Sequence, residues 1–101
     1  MIELSPAHLA EVDRILGEAV PDVEVWAFGS RVRGGSHAGS DLDLVLVGQA
    51  ELDWRTLESV KDAFADSDLP FIVDVIDWHA VDDSFRRIIR ESFVVLRPGS
   101  P

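Results

Sequence analysis

The sequence predicts an α/β or α+β chain with helices packed on a small sheet, and three observations carry that prediction. Apolar residues recur with helical period in three stretches, they alternate or cluster as short strands in four others, and glycine, proline or capping residues separate the two kinds. The composition agrees: 47% of the residues are hydrophobic and 28% charged, the balance of a folded chain rather than a disordered one. With 101 residues, a single domain spanning 1–101 around one core is expected, with no room for a separate acceptor-binding domain.

Ser5-Pro6 opens the first helix, a capping hydroxyl followed by the residue best tolerated in a first turn. Leu9, Val12, Ile15, Leu16 and Val20 then follow at helical spacing, which places a helix over about Pro6 to Ala19 before Pro21 stops it. Val23 to Phe28 reads as the first strand, with Val23, Val25 and Ala27 on one side, and it ends at Gly29. Ser30 to Ser40 is rich in glycine and polar residues and reads as a loop with one short helical turn at its start.

In the second strand Leu42, Leu44 and Leu46 alternate with Asp41, Asp43 and Val45, so the leucines share one face and both aspartates the other. A second amphipathic helix runs from about Asp53 to Asp66, with Leu57, Val60 and Phe64 on its apolar side, and Pro70 closes the link to a third strand, Phe71 to Ile76. Asp82, Asp83 or Ser84 caps a last helix carrying Phe85, Ile88 and Ile89, and Phe93 to Leu96 forms a short terminal strand. Periodicity carries no information on the hydrogen-bonded order of these strands.

Charge and composition narrow the chemistry. Nineteen acidic against nine basic residues give a net charge of -10, which repels nucleic-acid phosphates over most of the surface and argues against broad nucleic-acid binding. No apolar run approaches the roughly 20 residues of a membrane span and no signal-peptide pattern opens the chain, so a cytoplasmic protein with no membrane partner is expected. Without cysteine, any metal must be held by carboxylates, imidazoles or water, which favours hard cations such as Mg²⁺.

The chemistry-bearing residues lie between Gly29 and Asp74. Asp41 and Asp43, two apart on a strand, project from one face about 6.5–7 Å apart along the backbone, and like charges so placed repel unless a cation lies between them. Two metal ions about 3.5–4 Å apart are the usual clamp for phosphoryl or nucleotidyl transfer. Asp74, between Val73 and Val75, is a carboxylate in an apolar strand, costly there unless solvated, paired or metal-bound, and is a natural third ligand and acceptor of a hydroxyl proton if its strand adjoins that of Asp41 and Asp43. Gly29-Ser30, where a strand passes into a helical turn, offers amides and a hydroxyl to phosphate, Arg31 and Arg33 are candidates for charge-assisted phosphate contacts, and Ser40 for a hydroxyl contact.

Gly29-Ser30, ten residues, then Asp41-Leu42-Asp43 resembles the glycine-serine and paired-aspartate signature of the DNA polymerase beta nucleotidyltransferase superfamily. The stretch from Phe28 to Gly35 followed by Ser40-Asp-Leu-Asp-Leu-Val looks like its compact minimal nucleotidyltransferase (MNT) branch, often the antitoxin partner of a helical HEPN RNase toxin, and the likeness extends over nearly the whole chain. The resemblance implies a small mixed sheet with flanking helices, the polymerase beta-like nucleotidyltransferase fold, and Mg²⁺-dependent transfer of AMP from ATP to a hydroxyl with release of pyrophosphate. It implies that Gly29 and Ser30 take the triphosphate, that Asp41 and Asp43 hold metal, two ions being expected, and that Asp74 completes the site and helps to activate the acceptor. The implied acceptor is a tyrosine hydroxyl of a HEPN toxin, which makes the chain an antitoxin whose assembly runs through its partner. The glycine- and serine-rich loop centred on His37 departs from the commoner pattern of that branch.

Plainer readings accompany several of these residues. Two aspartates on a strand are common on solvent-facing sheet surfaces, and it is the fixed distance from Gly29-Ser30 that lifts the pair above that background. Asp77 rivals Asp74 but sits at a strand end, where it caps or faces solvent; His37 is a solvated loop histidine or touches phosphate or acceptor; His8 and His79 read as surface residues. Arg86, Arg87 and Arg90 read as the solvated face of the last helix or as nucleotide or partner contacts, and Trp26, Trp54 and Trp78 as core or edge packing, with Trp54 and Trp78 also candidates to face a partner. A module that neutralises a toxin by occlusion, with catalysis dispensable, is the competing function, and transfer to a small molecule is disfavoured because a chain of this length is not expected to hold such an acceptor by itself.

Overall fold

The computed structural model describes residues 2–99. Along the chain run α1 (Pro6–Ala19), β1 (Glu24–Phe28), α2 (Ser30–Arg33), β2 (Leu42–Val47), α3 (Trp54–Ala65), β3 (Val73–Asp77), a 3-10 turn (Trp78–Ala80), α4 (Asp83–Glu91) and β4 (Phe93–Arg97). The strands form one sheet in the order β3-β2-β1-β4. β1 is antiparallel to both of its neighbours and β2 is parallel to β3, so the sheet is mixed, with β3 and β4 at its edges.

Local chemistry sets the helix ends. The Ser5 side chain accepts a hydrogen bond from the His8 amide and Pro6 occupies the first turn of α1, while the Val20 amide closes that helix on the Leu16 carbonyl. Asp53 and Asp82 cap α3 and α4 by accepting from the amides of Arg55 and Phe85, each at 2.8 Å. A cap of this kind is worth about 0.5–2 kcal/mol.

The period-2 pattern of β2 divides the core. Leu42, Leu44 and Leu46 are wholly buried with Val12, Ile15 and Leu16 of α1 and Val60 and Phe64 of α3 on one face of the sheet. Each such side chain contributes about 1.5–3 kcal/mol by leaving water. On the other face, Phe28, Val45, Trp78 and Ile89 form a smaller core that seats α4, with Trp26, Val47, Ile76 and Phe85 packed against it. Asp43 of β2 and Asp74 of β3 lie on this second face, beyond the end of the small core, whereas Asp77 pairs with Leu46 on the other face.

The strand limits differ from the sequence reading in one respect that matters. The third strand is expected from Phe71, but its ladder with β2 begins at the pair Leu42 and Val73 and runs on to Asp77. Phe71 and Ile72 precede it, and Phe71 instead lies under the guanidinium of Arg31, whose carbon is 4.4 Å from the ring centre. Trp54, expected at a packed edge or a partner-facing position, is 67% exposed. Trp26 lies between Phe93, stacked at 4.2 Å, and the edge of Trp78 at 5.2 Å.

Candidate active site

The site forms where β1 ends, β2 begins and β3 begins. In the antiparallel register Phe28 stands opposite Asp43, and in the parallel register Asp43 stands opposite Asp74. Adjacent strands are about 4.8 Å apart, so the two carboxylates project side by side from the same face. Asp41 lies just before β2, with Leu42 between it and Asp43. The structure thus brings together Gly29, Asp41, Asp43 and Asp74, which the sequence separates by up to forty-five positions.

Gly29 is fixed by two independent constraints. Its φ of 83° lies in the left-handed region, and a Cβ built on it would overlap the carboxylate of Asp43. That close approach turns the chain directly from β1 into α2. The amides of Val32 and Arg33 both bond the Gly29 carbonyl, at 3.0 and 2.9 Å, so the amides of Ser30 and Arg31 precede the internal ladder of the helix, in the position from which helix N-termini meet anions.

Electrostatics mark Asp43. Burial pushes its carboxyl above the usual carboxylate range, the charges of Asp74 and Asp41 push it further in the same direction, and Arg33 opposes them. Asp41 and Asp74 are exposed, whereas Asp43 is half-buried. Asp74 therefore corrects the expectation of a carboxylate in a buried strand setting: β3 is an edge strand and its site face is open to solvent. A cleft of about 690 Å³ opens here, walled by Gly29, Arg33, Asp43 and Asp74 and by the apolar side chains of Phe85 and Ile88 from α4. Lys61 of α3 also lines it, a residue that helical periodicity alone assigns to a solvated face.

Oxygen-donor carboxylates so close that Asp74 and Asp41 add to the effect of burial in raising the proton affinity of Asp43 suit a hard divalent cation. Among the described residues, no group of three or more histidine, aspartate or glutamate side chains is drawn together closely enough to hold a metal ion by itself. Asp43 and Asp74 instead border an open cleft, a setting compatible with Mg²⁺, since that ion keeps water and substrate phosphate among its ligands.

Two candidates from the sequence are placed elsewhere. Arg31, expected to reach phosphate, is 5% exposed, and its guanidinium donates to the carbonyls of Glu3 at 2.7 Å, Ala38 and Ser40 at 3.0 Å and His37 at 3.4 Å. Ser40, expected to offer a hydroxyl to nucleotide, uses it to accept from the His37 amide at 2.9 Å. Both brace the loop, and Arg33 remains as the arginine of the cleft. His37 is exposed, its Nδ1 accepting from the Gly39 amide.

Asp77 resolves away from the site. It is 3% exposed and accepts from the amides of Leu52 at 2.7 Å and His79 at 2.9 Å, so it joins the β2–α3 connection to the end of β3 as a buried cap and does not face solvent. His79 is not a free surface residue, since its Nε2 lies 2.7 Å from the Gly48 carbonyl, and His8 is half-buried with its ring edge-on to Phe71. On α4, Arg86 is half-buried and donates to the Trp78 carbonyl at 2.9 Å, Arg86 and Arg90 both lie over the Trp78 ring, and Arg87 and Arg90 are exposed.

Comparison with known proteins agrees with this geometry. The family model described as "Nucleotidyltransferase domain" matches residues 9–96. The chain is 44% identical over 96 residues to the probable protein adenylyltransferase MntA of Haemophilus influenzae, an alignment covering 95% of this chain and 84% of that protein. Its fold is similar to that of a toxin-antitoxin protein crystallised with AMP-PNP, with a TM-score of 0.65, 23% identity and coverage of 91% of this chain and 73% of that one. It is similar also to the structure of a tri-AMPylated Shewanella oneidensis HEPN toxin in complex with MNT antitoxin, with a TM-score of 0.61, 20% identity and coverage of 93% and 71%. With Gly29, Asp43 and Asp74 meeting at one cleft, and with a family match over residues 9–96, the chain belongs to the nucleotidyltransferase domain family.

Proposed function

We propose that this chain is a Mg²⁺-dependent protein adenylyltransferase that moves AMP from ATP to a hydroxyl, a tyrosine on the sequence reading, of a HEPN-type toxin, and that it thereby acts as an antitoxin. The observation that carries the proposal is the register that sets Asp43 beside Asp74 and beneath the tight turn at Gly29. The relative named as a protein adenylyltransferase, the neighbour crystallised with AMP-PNP and the AMPylated HEPN toxin of another neighbour support the choice of nucleotide and partner.

In this reading the Ser30 hydroxyl and the leading amides of α2 bind the triphosphate, Gly29 leaves room for it and Arg33 adds charge. Asp41 and Asp43 hold Mg²⁺, two ions being expected, and Asp74 completes the set. Mg²⁺ held there would supply positive charge to neutralise the triphosphate and the developing charge of the transfer. The acceptor oxygen forms a bond to the α-phosphorus of ATP, the bond from that phosphorus to the bridging oxygen breaks, and pyrophosphate leaves. Asp74 accepts the hydroxyl proton and returns it to solvent. Among the described residues no helix is long and apolar enough to cross a membrane, and the ATP requirement fits action in the cytoplasm.

Incubation with the cognate partner, Mg²⁺ and ATP labelled at the α-phosphate is expected to label the partner. Absence of transfer, or equal transfer by the Asp41→Asn/Asp43→Asn variant, rejects the reading. In co-expression, protection of cells by that same variant assigns neutralisation to occlusion instead.

A further inference from the structure

Arg31 poses a problem of charge. A cation this well buried costs several kcal/mol in desolvation unless its surroundings compensate, and carboxylates usually do so. Here the compensation comes chiefly from main-chain carbonyls and a ring, with the Glu3 carboxylate adding a Coulombic attraction. Nη1 donates to Glu3, Nε to Ser40 and Nη2 to Ala38 and His37, while the face of Phe71 covers the group. Five donors in a rigid planar fork can satisfy several carbonyls arriving from different directions. Three separate pieces of chain meet on this one side chain: the segment before α1, the loop 34–41 and the approach to β3.

Its place in the sequence gives the arrangement its meaning. Arg31 follows Ser30 directly, and the Ser40 carbonyl that it holds at 3.0 Å belongs to the residue before Asp41. One side chain therefore ties the phosphate-binding turn to the point where the first aspartate enters the site. The intervening loop contains Gly34 and Gly35, both at positive φ, and Gly39, residues that give the chain the most freedom to lose. Glu3 reinforces the tie: its amide donates to the Arg31 carbonyl, and its carboxylate accepts from both the amide and the hydroxyl of Ser36.

We infer that Arg31 is a positioning residue for nucleotidyl transfer, a clasp that with Glu3 holds the loop 34–41 against α2 so that Asp41 is delivered beside Asp43 at a set distance from Ser30. The inference rests on the proposed function for its catalytic consequence and on geometry alone for the clasp. Because a misplacement of about 1 Å in a catalytic group can cost roughly 100-fold in rate, a loosened loop must register in both metal-nucleotide affinity and turnover.

The test compares wild type with Arg31→Met, Arg31→Lys and Glu3→Ala. Two readouts are used: hydrogen exchange of the amides of 36–41 in the free protein, and calorimetric binding of AMP-PNP with Mg²⁺, supplemented by KM and kcat where transfer is measured. Arg31→Met is expected to speed loop exchange about tenfold or more while β1 and β2 remain protected, and to weaken Mg·AMP-PNP binding and raise KM for MgATP by a similar factor. Arg31→Lys keeps the charge and some donors and should recover part of the loss. Glu3→Ala, on an exposed side chain that does not endanger folding, should show a smaller shift of the same kind.

Unchanged loop exchange in folded Arg31→Met, or faster exchange with wild-type nucleotide affinity and KM, overturns the inference. If Arg31→Met does not fold, Glu3→Ala decides by the same readouts. If wild type itself binds no nucleotide, the functional reading fails and loop exchange alone decides whether the clasp exists.

Discussion

A glycine with φ of 83° whose missing side chain leaves space for a carboxylate cannot be exchanged without moving that carboxylate. Gly29→Ala is therefore expected to destabilise the chain by about 1–3 kcal/mol through backbone strain and to lower transfer at least about 100-fold, read by thermal melting and by label incorporation. Asp43 carries the opposite relation between stability and function. Burial and the charges of Asp74 and Asp41 disfavour its ionised form, so Asp43→Asn is expected to raise the melting temperature of the metal-free chain while abolishing transfer. A melting temperature that falls would mean that the repulsion is already relieved within the apo site. Asp74 and Asp77, three apart and similar in sequence, separate on the same two measurements. Asp74 is exposed, so Asp74→Asn should change stability by less than about 0.5 kcal/mol and remove activity. Asp77→Ala leaves the amides of Leu52 and His79 without their acceptor in a buried place, so about 1–3 kcal/mol per amide should be lost with KM for MgATP unchanged.

At the scale of elements, β2 is the hinge between fold and site. Its period of two sends Leu42, Leu44 and Leu46 into the larger core and Asp43 to the cleft, so packing on one face fixes the carboxylate on the other. Leu44→Ala is expected to cost about 2–5 kcal/mol by denaturant melting, because a fully buried side chain leaves a cavity. The limits of β1, β2 and α3 lie within a residue of those read from periodicity, since caps and alternation are local. β3 starts two residues later than the apolar run implies, because its first paired residue is set by where β2 begins, and Phe71, apolar and adjacent to the strand, covers Arg31 instead. Periodicity near Arg31 does not signal that use: besides the carbonyls of His37, Ala38 and Ser40 in the following loop, its partners are Glu3, 28 residues before it, and Phe71, far beyond it.

For the whole molecule, ligand linkage gives the broadest check. A Mg²⁺·AMP-PNP complex that binds only the folded chain adds about 2.7 kcal/mol at a hundred times its Kd, and each kcal/mol moves the melting temperature of a domain of this size by roughly 4–8 °C. That upward shift is expected for wild type, in the presence of both metal and nucleotide, and is expected to vanish in Asp41→Asn/Asp43→Asn. The sequence by itself determined the order of helices and strands, the two faces of β2, and the group Gly29, Ser30, Asp41 and Asp43, because periodicity, capping and a short loop act over a few residues. Only the tertiary structure decided that β3 lies parallel beside β2, that Asp74 rather than Asp77 meets Asp43, and that Arg31 holds the loop while Arg33 faces the cleft. Those outcomes depend on strand order, register and the direction of long side chains, which are set by burial and hydrogen bonding between segments far apart in the chain.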